Sequence, residues 1–216
     1  DFIMAATTVD ILRSKMDYRL LAFGEEARDC VAENPAFPGA IDAGYVGAPH
    51  GHVNGNVPDY SFPPAAIIYV EDYPTMIYSA AQTQFAIAEA ASNGWNTNGA
   101  TAAAAYDNGI SASFNYWGVG ATERDAYIAA NPYTGINDIA YEKWVALYLQ
   151  GQEAWSEWRR LDYPILVPST NGAESEIPVR HAYDSSVEDN NKANYDEIIS
   201  KQGPDVIQTK LWWDVN

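Results

Sequence analysis

The residues of this 216-residue chain whose types and spacing could carry chemistry are few. Glu153 and Glu157 lie one helical turn apart, a spacing that paired glycosidase carboxylates could use. The competing reading is a solvated helix face with Arg160 as neighbour. His50-x-His52, with Asp59 or Asp42 nearby, has the look of a partial metal set, yet two histidines in a glycine-rich stretch are more commonly solvent-exposed polar residues. Glu89 reads as a capping or interhelix hydrogen-bond residue. Tyr45 and Tyr60 are a different case. No core periodicity explains them, and loops are where binding residues concentrate, so ligand binding and plain loop packing stand level. The chain has no Walker loop, no G-x-G-x-x-G after a strand, no nucleophile elbow and no H-E-x-x-H. Neither a catalytic residue nor a metal or cofactor is assigned.

The stretch 136–164 organises the rest and reads as one long amphipathic helix. Ala140, Trp144, Leu147, Gly151, Trp155 and Trp158 recur at three- and four-residue steps and share a face, which makes the tryptophans packing residues. Asn137 or Asp138 caps the start, and Glu142 adds negative charge early in the helix. Arg159 and Arg160 complement the other end and anchor carboxylates or carbonyls there. Pro164 stops the helix. A glycine in mid-helix costs about 1 kcal/mol against alanine, so Gly151 suggests a closely packed backbone. Further helices are expected over 3–16, 78–93 and 100–117, with shorter pieces over 123–130 and 194–201. The 78–93 helix carries Ile77, Ala81, Phe85, Ala88 and Ala91 on one face and stops at Gly94. The 100–117 helix carries Tyr106, Ile110, Phe114 and Trp117 and ends at Gly118. Between 17 and 64, prolines and glycines break every candidate helix. A loop this long with Phe37, Tyr45, Tyr60 and Phe62 in it is expected to be ordered and functional. Residues 65–69 are expected to be extended.

Composition narrows the partners. With 29 acidic against 12 basic residues the net charge is -17, which disfavours nucleic acid and anionic lipid surfaces. The 7 Trp and 15 Tyr suit core corners, interfaces and stacking on sugar faces alike. Cys30 is the sole cysteine, so no intrachain disulfide forms. No apolar run approaches the ~20 residues of a membrane span, and the first residues lack the basic-then-apolar order of a signal peptide. Trp144-x-x-Leu147 and Ala81-x-x-x-Phe85 match parts of the tetratricopeptide consensus, although its full period is not visible.

The run Gln150-Gly151-x-Glu153-Ala154-Trp155-x-Glu157-Trp158-Arg159-Arg160-x-x-Tyr163-Pro164 resembles the signature of the SusD/RagB family, in particular its SusD-like branch. Tyr45-x-Gly47-x-Pro49-x-Gly51, Gln84-Phe85-x-x-Ala88-Glu89-Ala90 with Gly94-Trp95, and Tyr106-x-x-Gly109-Ile110-x-Ala112-Ser113 resemble successive pieces of the same family. So do Ile177-Pro178-x-Arg180, Asn194-Tyr195 and Trp212-Trp213-Asp214, which makes the matches ordered along almost the whole chain. The family's Asp-Pro-Arg-Leu is Asp17-Tyr18-Arg19-Leu20 here, and its usual Ala-Glu is Ala81-Gln82.

The resemblance implies an all-α, tetratricopeptide-like fold with long irregular loops, corresponding to the C-terminal portion of proteins about twice this long. Residues 1–216 would be a single domain: 17–76 loop-rich, 77–163 tetratricopeptide-like helices, 164–216 an irregular closing segment. It further implies a surface lipoprotein of the outer membrane that binds a glycan and delivers it to a SusC-like TonB-dependent transporter. Membrane contact would come only through a lipid anchor outside this chain, with no catalysis and no cofactor. By analogy the ligand residues are Tyr45, His50, His52, Asn54, Asp59 and Tyr60. A peptide- or protein-binding helical module is the second reading, and a glycosidase using Glu153 or Glu157 the third.

Overall fold

The computed structural model describes residues 2–28, 44–51, 57–169 and 176–214. Among these the chain is all-helical: α1 (Ala6–Ser14), α2 (Leu20–Phe23), α3 (Ala65–Ile68), α4 (Ala80–Ser92), α5 (Ala102–Tyr116), α6 (Ala121–Ala130), α7 (Ile136–Ala146), α8 (Gly151–Leu161) and α9 (Ser185–Gln202). The only extended pairing described is an isolated parallel bridge, Ala5 to Ala48. There the two segments run so close that any Cβ on Gly47 would collide with the Ala6 backbone. Residues 65–69 form a helical turn rather than an extended piece, because Pro64 presets its entry and alanines follow. The expected 194–201 helix is longer and begins at Ser185, where the Asp184 side chain accepts from the Ser186 N–H.

The heart of the molecule is a helical hairpin of α4 and α5, with α7 laid across it. Ser79 and Gln82 form a reciprocal capping box at the start of α4, and Thr101 caps α5. Gly94 and Gly118 follow the two helices with φ of 74° and 69°, the left-handed stops that glycine allows. Phe85, Ala88, Tyr106, Ile110 and Phe114 bury the facing sides together with Tyr127 of α6 and Ile139 of α7. Ile77, expected on this face, precedes the helix and is 86 % exposed. A second core joins Val9, Leu12, Leu20, Phe23 and Tyr45 to Tyr141 and Val145. α7 thus supplies residues to both cores.

The 136–164 stretch is not one helix. α7 ends at Ala146, Leu149 adopts φ 66°, and α8 starts afresh at Gly151. Gly151 is exposed and a Cβ there would meet nothing within 4 Å, so it marks no close backbone approach. The tryptophans divide accordingly: Trp158 is buried, whereas Trp144 and Trp155 are half-buried. Trp155 donates to the Pro178 carbonyl and carries the Arg159 guanidinium over its ring at 3.8 Å. Arg159 also donates to the Val179 carbonyl, so α8 holds the closing segment much as its arginines suggested.

Where the two cores meet, Arg19 is completely buried. It bridges Asp17 (Nη2–Oδ2 2.5 Å) and Glu142 (Nη2–Oε2 2.6 Å), donates to Ser113 Oγ at 3.0 Å, and lies over the Phe114 ring. Tyr127 donates its hydroxyl proton to Glu142. Burial works against the guanidinium charge, yet the Asp17 and Glu142 carboxylates outweigh it and hold Arg19 well above its ordinary pKa. Burial pushes the Glu142 carboxyl upward, with Arg19 opposing, as expected when two carboxylates share one cation. Glu142 is therefore a core ion-pair residue and not a charge at the helix start. Asp138 takes that place, accepting from the N–H groups of Thr134 and Gly135.

A second ionic chain ties α8 to its neighbours. Arg160 makes a bidentate pair with Glu89 of α4 and also binds Glu157, which in turn pairs with Lys143 of α7 at 2.9 Å. Burial raises the Glu157 carboxyl, but hydrogen bonds from Arg160 and the charge of Lys143 outweigh it and leave it below its ordinary 4.5. The stability linked to that depressed value is fully present above pH 4.5 and is lost as pH falls through the folded-state value. Glu157→Gln is expected to flatten this acid limb in urea midpoints taken across the range. Identical limbs for both proteins would mean that the pairing contributes nothing.

Candidate functional site

An opening rich in aromatic rings lies where three distant stretches meet. Residues 67–79 bring Ile67, Tyr73 and Tyr78 up to the capped start of α4; the end of α5 brings Tyr116 and Trp117; and the α7–α8 turn brings Tyr148, Leu149 and Gln150. Together they enclose a cleft of about 410 Å³. Tyr73, Tyr78 and Tyr116 are 38, 60 and 47 % exposed, so ring surface remains available. The deeper rings are rigidly held. Tyr148 stacks on Phe23 with centroids 4.1 Å apart and planes 4° from parallel, and its hydroxyl donates to the Phe23 carbonyl at 2.8 Å. Trp117 sits edge-on to both Phe23 and Tyr116.

The electrostatics of the cleft differ from those of the chain. None of its described lining residues is charged, although the protein carries -17 overall. Burial and a hydrogen bond with the Tyr73 hydroxyl both raise the Tyr116 pKa, so its hydroxyl stays protonated at neutral pH. Ser113 lines the floor and accepts from Arg19, which couples the cleft to the buried ionic network. Flat aromatic faces beside neutral hydroxyl and amide groups suit a ligand with apolar C–H faces and a hydroxyl rim, and offer little to a strong ion.

Of the six sequence-derived ligand residues, the four that are described, Tyr45, His50, Asp59 and Tyr60, do not line this cleft. Tyr45 is 8 % exposed, with its ring in the second core, so that ring is packed rather than presented. His50 is exposed; its Nε2 lies 3.0 Å from the Val167 carbonyl oxygen, and Ser169 donates to the His50 carbonyl. It borders a separate, shallower trough of about 450 Å³ with Trp144 and Pro178. Asp59 and Tyr60 are half-buried, in and just after a short 3-10 turn. His52 and Asn54 lie outside the described residues, as do Asp42 and Phe37. Among the described residues no group of three potential metal ligands is gathered. No described helix is long and apolar enough to cross a membrane.

The cleft residues were missed for an identifiable reason. Tyr73 and Met76 lie ahead of the α4 cap, where no helical spacing singles them out, and Tyr78 falls at the start of the expected 78–93 helix, off its apolar face. Trp117 was absorbed into the α5 stripe because it continues the three-to-four-residue rhythm.

What these elements make is a helical scaffold with a preformed, neutral aromatic cleft. A model of the SusD-like family described as "Starch-binding associating with outer membrane" matches residues 1–184, and the chain belongs to that family. No curated protein matches it in sequence. Among solved structures it is similar to a chitin-binding protein (28% identity, TM-score 0.79, 98% of this chain and 50% of that one). It is similar also to a chitin-binding SusD homologue from Flavobacterium johnsoniae (27% identity, TM-score 0.77, 99% and 50%). A SusD homologue from Bacteroides uniformis matches at 26% identity and TM-score 0.78, over 98% and 49%. The chain spans about half the length of these relatives.

Proposed function

We propose that this chain is a glycan-binding module that holds a neutral oligosaccharide or polysaccharide in the aromatic cleft, as part of an outer-membrane capture system that passes it to a SusC-like TonB-dependent transporter. The observation that carries this reading is the uncharged lining of the cleft with three partly exposed tyrosines in a strongly acidic chain. Tyr73, Tyr78 and Tyr116 supply faces for sugar rings, and their hydroxyls, with Gln150 and Thr75, supply hydrogen bonds to the rim. The chitin-binding relatives favour a polymer of N-acetylglucosamine, and the family description favours starch. The exposed His50 lies on the neighbouring trough and is proposed as an outlying contact for a longer chain, together with His52, Asn54, Asp59 and Tyr60. Tyr45 would act by packing the loop that carries them.

The proposed role is binding without catalysis. A glycosidase general acid needs a raised carboxyl pKa, whereas Glu157 is depressed and tied to Arg160 and Lys143. Surface attachment through a lipid anchor belongs to the same proposal.

The test is native electrophoresis in gels containing glycol chitin or soluble starch, with a reducing-sugar assay alongside. Retardation without new reducing ends is expected. Tyr78→Ala and Tyr116→Ala should each weaken the interaction about tenfold, the equivalent of losing one aromatic stacking contact. Release of reducing ends would replace the binding reading by an enzymatic one. Full retention of affinity in both variants would remove the cleft from the site.

A further inference from the structure

The turn between α7 and α8 carries a conformational cost at one residue. Leu149 lies in the left-handed region at φ 66°, where glycine or asparagine is the usual occupant and a branched side chain is disfavoured. Its neighbours impose the conformation. The Gln150 N–H donates to the Leu147 carbonyl at 2.8 Å, closing the turn, and Tyr148 is pinned on Phe23. A leucine would be explained here if it filled the core, yet 49 % of it is exposed. Two of the other non-glycine residues with positive φ are Asn98 and Asp162, types that tolerate it, and Met16 lines neither the cleft nor the trough.

What distinguishes Leu149 is its position. With Tyr148 it lines both the aromatic cleft and a smaller apolar pocket of about 160 Å³ behind it, walled by Leu12, Phe23, Trp144 and Val145. Leu149 and Tyr148 are the two described residues that the linings share. We propose that Leu149 is a specificity-determining contact of the cleft: its isobutyl group forms the apolar end wall against the C–H face of a bound sugar ring and closes off the pocket behind. Strained residues over-determined by their surroundings cluster at active sites and ligand clamps, where the strain pre-organises the contact. The inference rests on the glycan reading of the cleft.

Leu149→Gly and Leu149→Met, compared with the unsubstituted protein in gels of glycol chitin and of soluble starch, test it. Glycine suits the left-handed turn while adding freedom to the unfolded chain, so the thermal midpoint should move by no more than about 2 °C. Affinity should nevertheless fall about five- to tenfold, because the wall is gone. Leu149→Met keeps an apolar wall and should bind within about twofold of the original. Unchanged affinity in Leu149→Gly, with the original protein retarded, would overturn the contact role and leave the glycan reading standing. An equal loss in both variants would overturn it too, by pointing to the turn's geometry rather than the wall. No retardation of the original protein by either polymer would sink the glycan reading and this inference with it.

Discussion

Arg19→Ala is expected to destabilise the protein by about 3–5 kcal/mol, enough to leave it marginal against the 5–15 kcal/mol typical of folded domains. The guanidinium is the only cation among the described contacts of Asp17 and Glu142, and all three side chains are 0 % exposed. Removing it leaves two carboxylates buried without a counter-charge, Ser113 without its donor, and Phe114 facing an empty space where the guanidinium lay. Such a loss exceeds the worth of the pair itself, because the desolvation of the partners is no longer compensated. Urea midpoints give the measurement. A second substitution separates charge from volume: Glu142→Gln added to Arg19→Ala removes one stranded charge and should restore part of the loss. A cost near 1 kcal/mol for Arg19→Ala, with no recovery in the double variant, would show that water reaches the cluster and that the network does not join the two cores. Because Ser113 also forms the cleft floor, the single variant should weaken the proposed polysaccharide binding even under conditions where it remains folded.

Phe85→Ala should cost a similar 3–5 kcal/mol, by lost burial and the cavity left behind. Phe85 is fully buried in the α4–α5 hairpin, against Tyr106 and directly over Gly109. A Cβ on Gly109 would meet three carbons of its ring at 2.5–2.7 Å. Gly109→Ala alone is therefore expected to destabilise by about 1–3 kcal/mol, although alanine is the better helix former. In the Phe85→Ala background the same change should be neutral or stabilising, since the ring is gone and helix propensity favours alanine by about 1 kcal/mol. A double-mutant cycle measures this coupling directly. Additive costs would mean that the hairpin relaxes around the new methyl and that Gly109 is not the contact point.

Much of the scaffold was legible because its signals are local. Three- and four-residue spacing located α4 and α5 and most of their buried faces, and Gly94 and Gly118 located their ends through a conformation that only glycine adopts cheaply. Of the two roles that its position allows Glu89, capping and interhelix bonding, the pair with Arg160 is the second, and the two arginines of α8 are anchors. The candidate cleft was not legible. Its rings come from residues 73–78, 116–117 and 148, and no periodicity relates stretches so far apart.

The sequence by itself determined the helical class, the faces of the central hairpin, and the family through an ordered series of motifs. Only the tertiary structure decided that the stretch 136–164 breaks into two helices. Leu147, Leu149 and Gln150 are helix formers and only Gly151 weighs against one; it is Phe23, 125 residues from Tyr148, that captures the tyrosine ring and hydroxyl where the chain turns. The same holds for Arg19, whose partners Ser113 and Glu142 lie 94 and 123 residues away. Periodicity reports which residues of one segment share a face. Which faces then meet is settled by how well their buried charges, rings and glycines fit one another, and that information exists only once the chain has closed on itself.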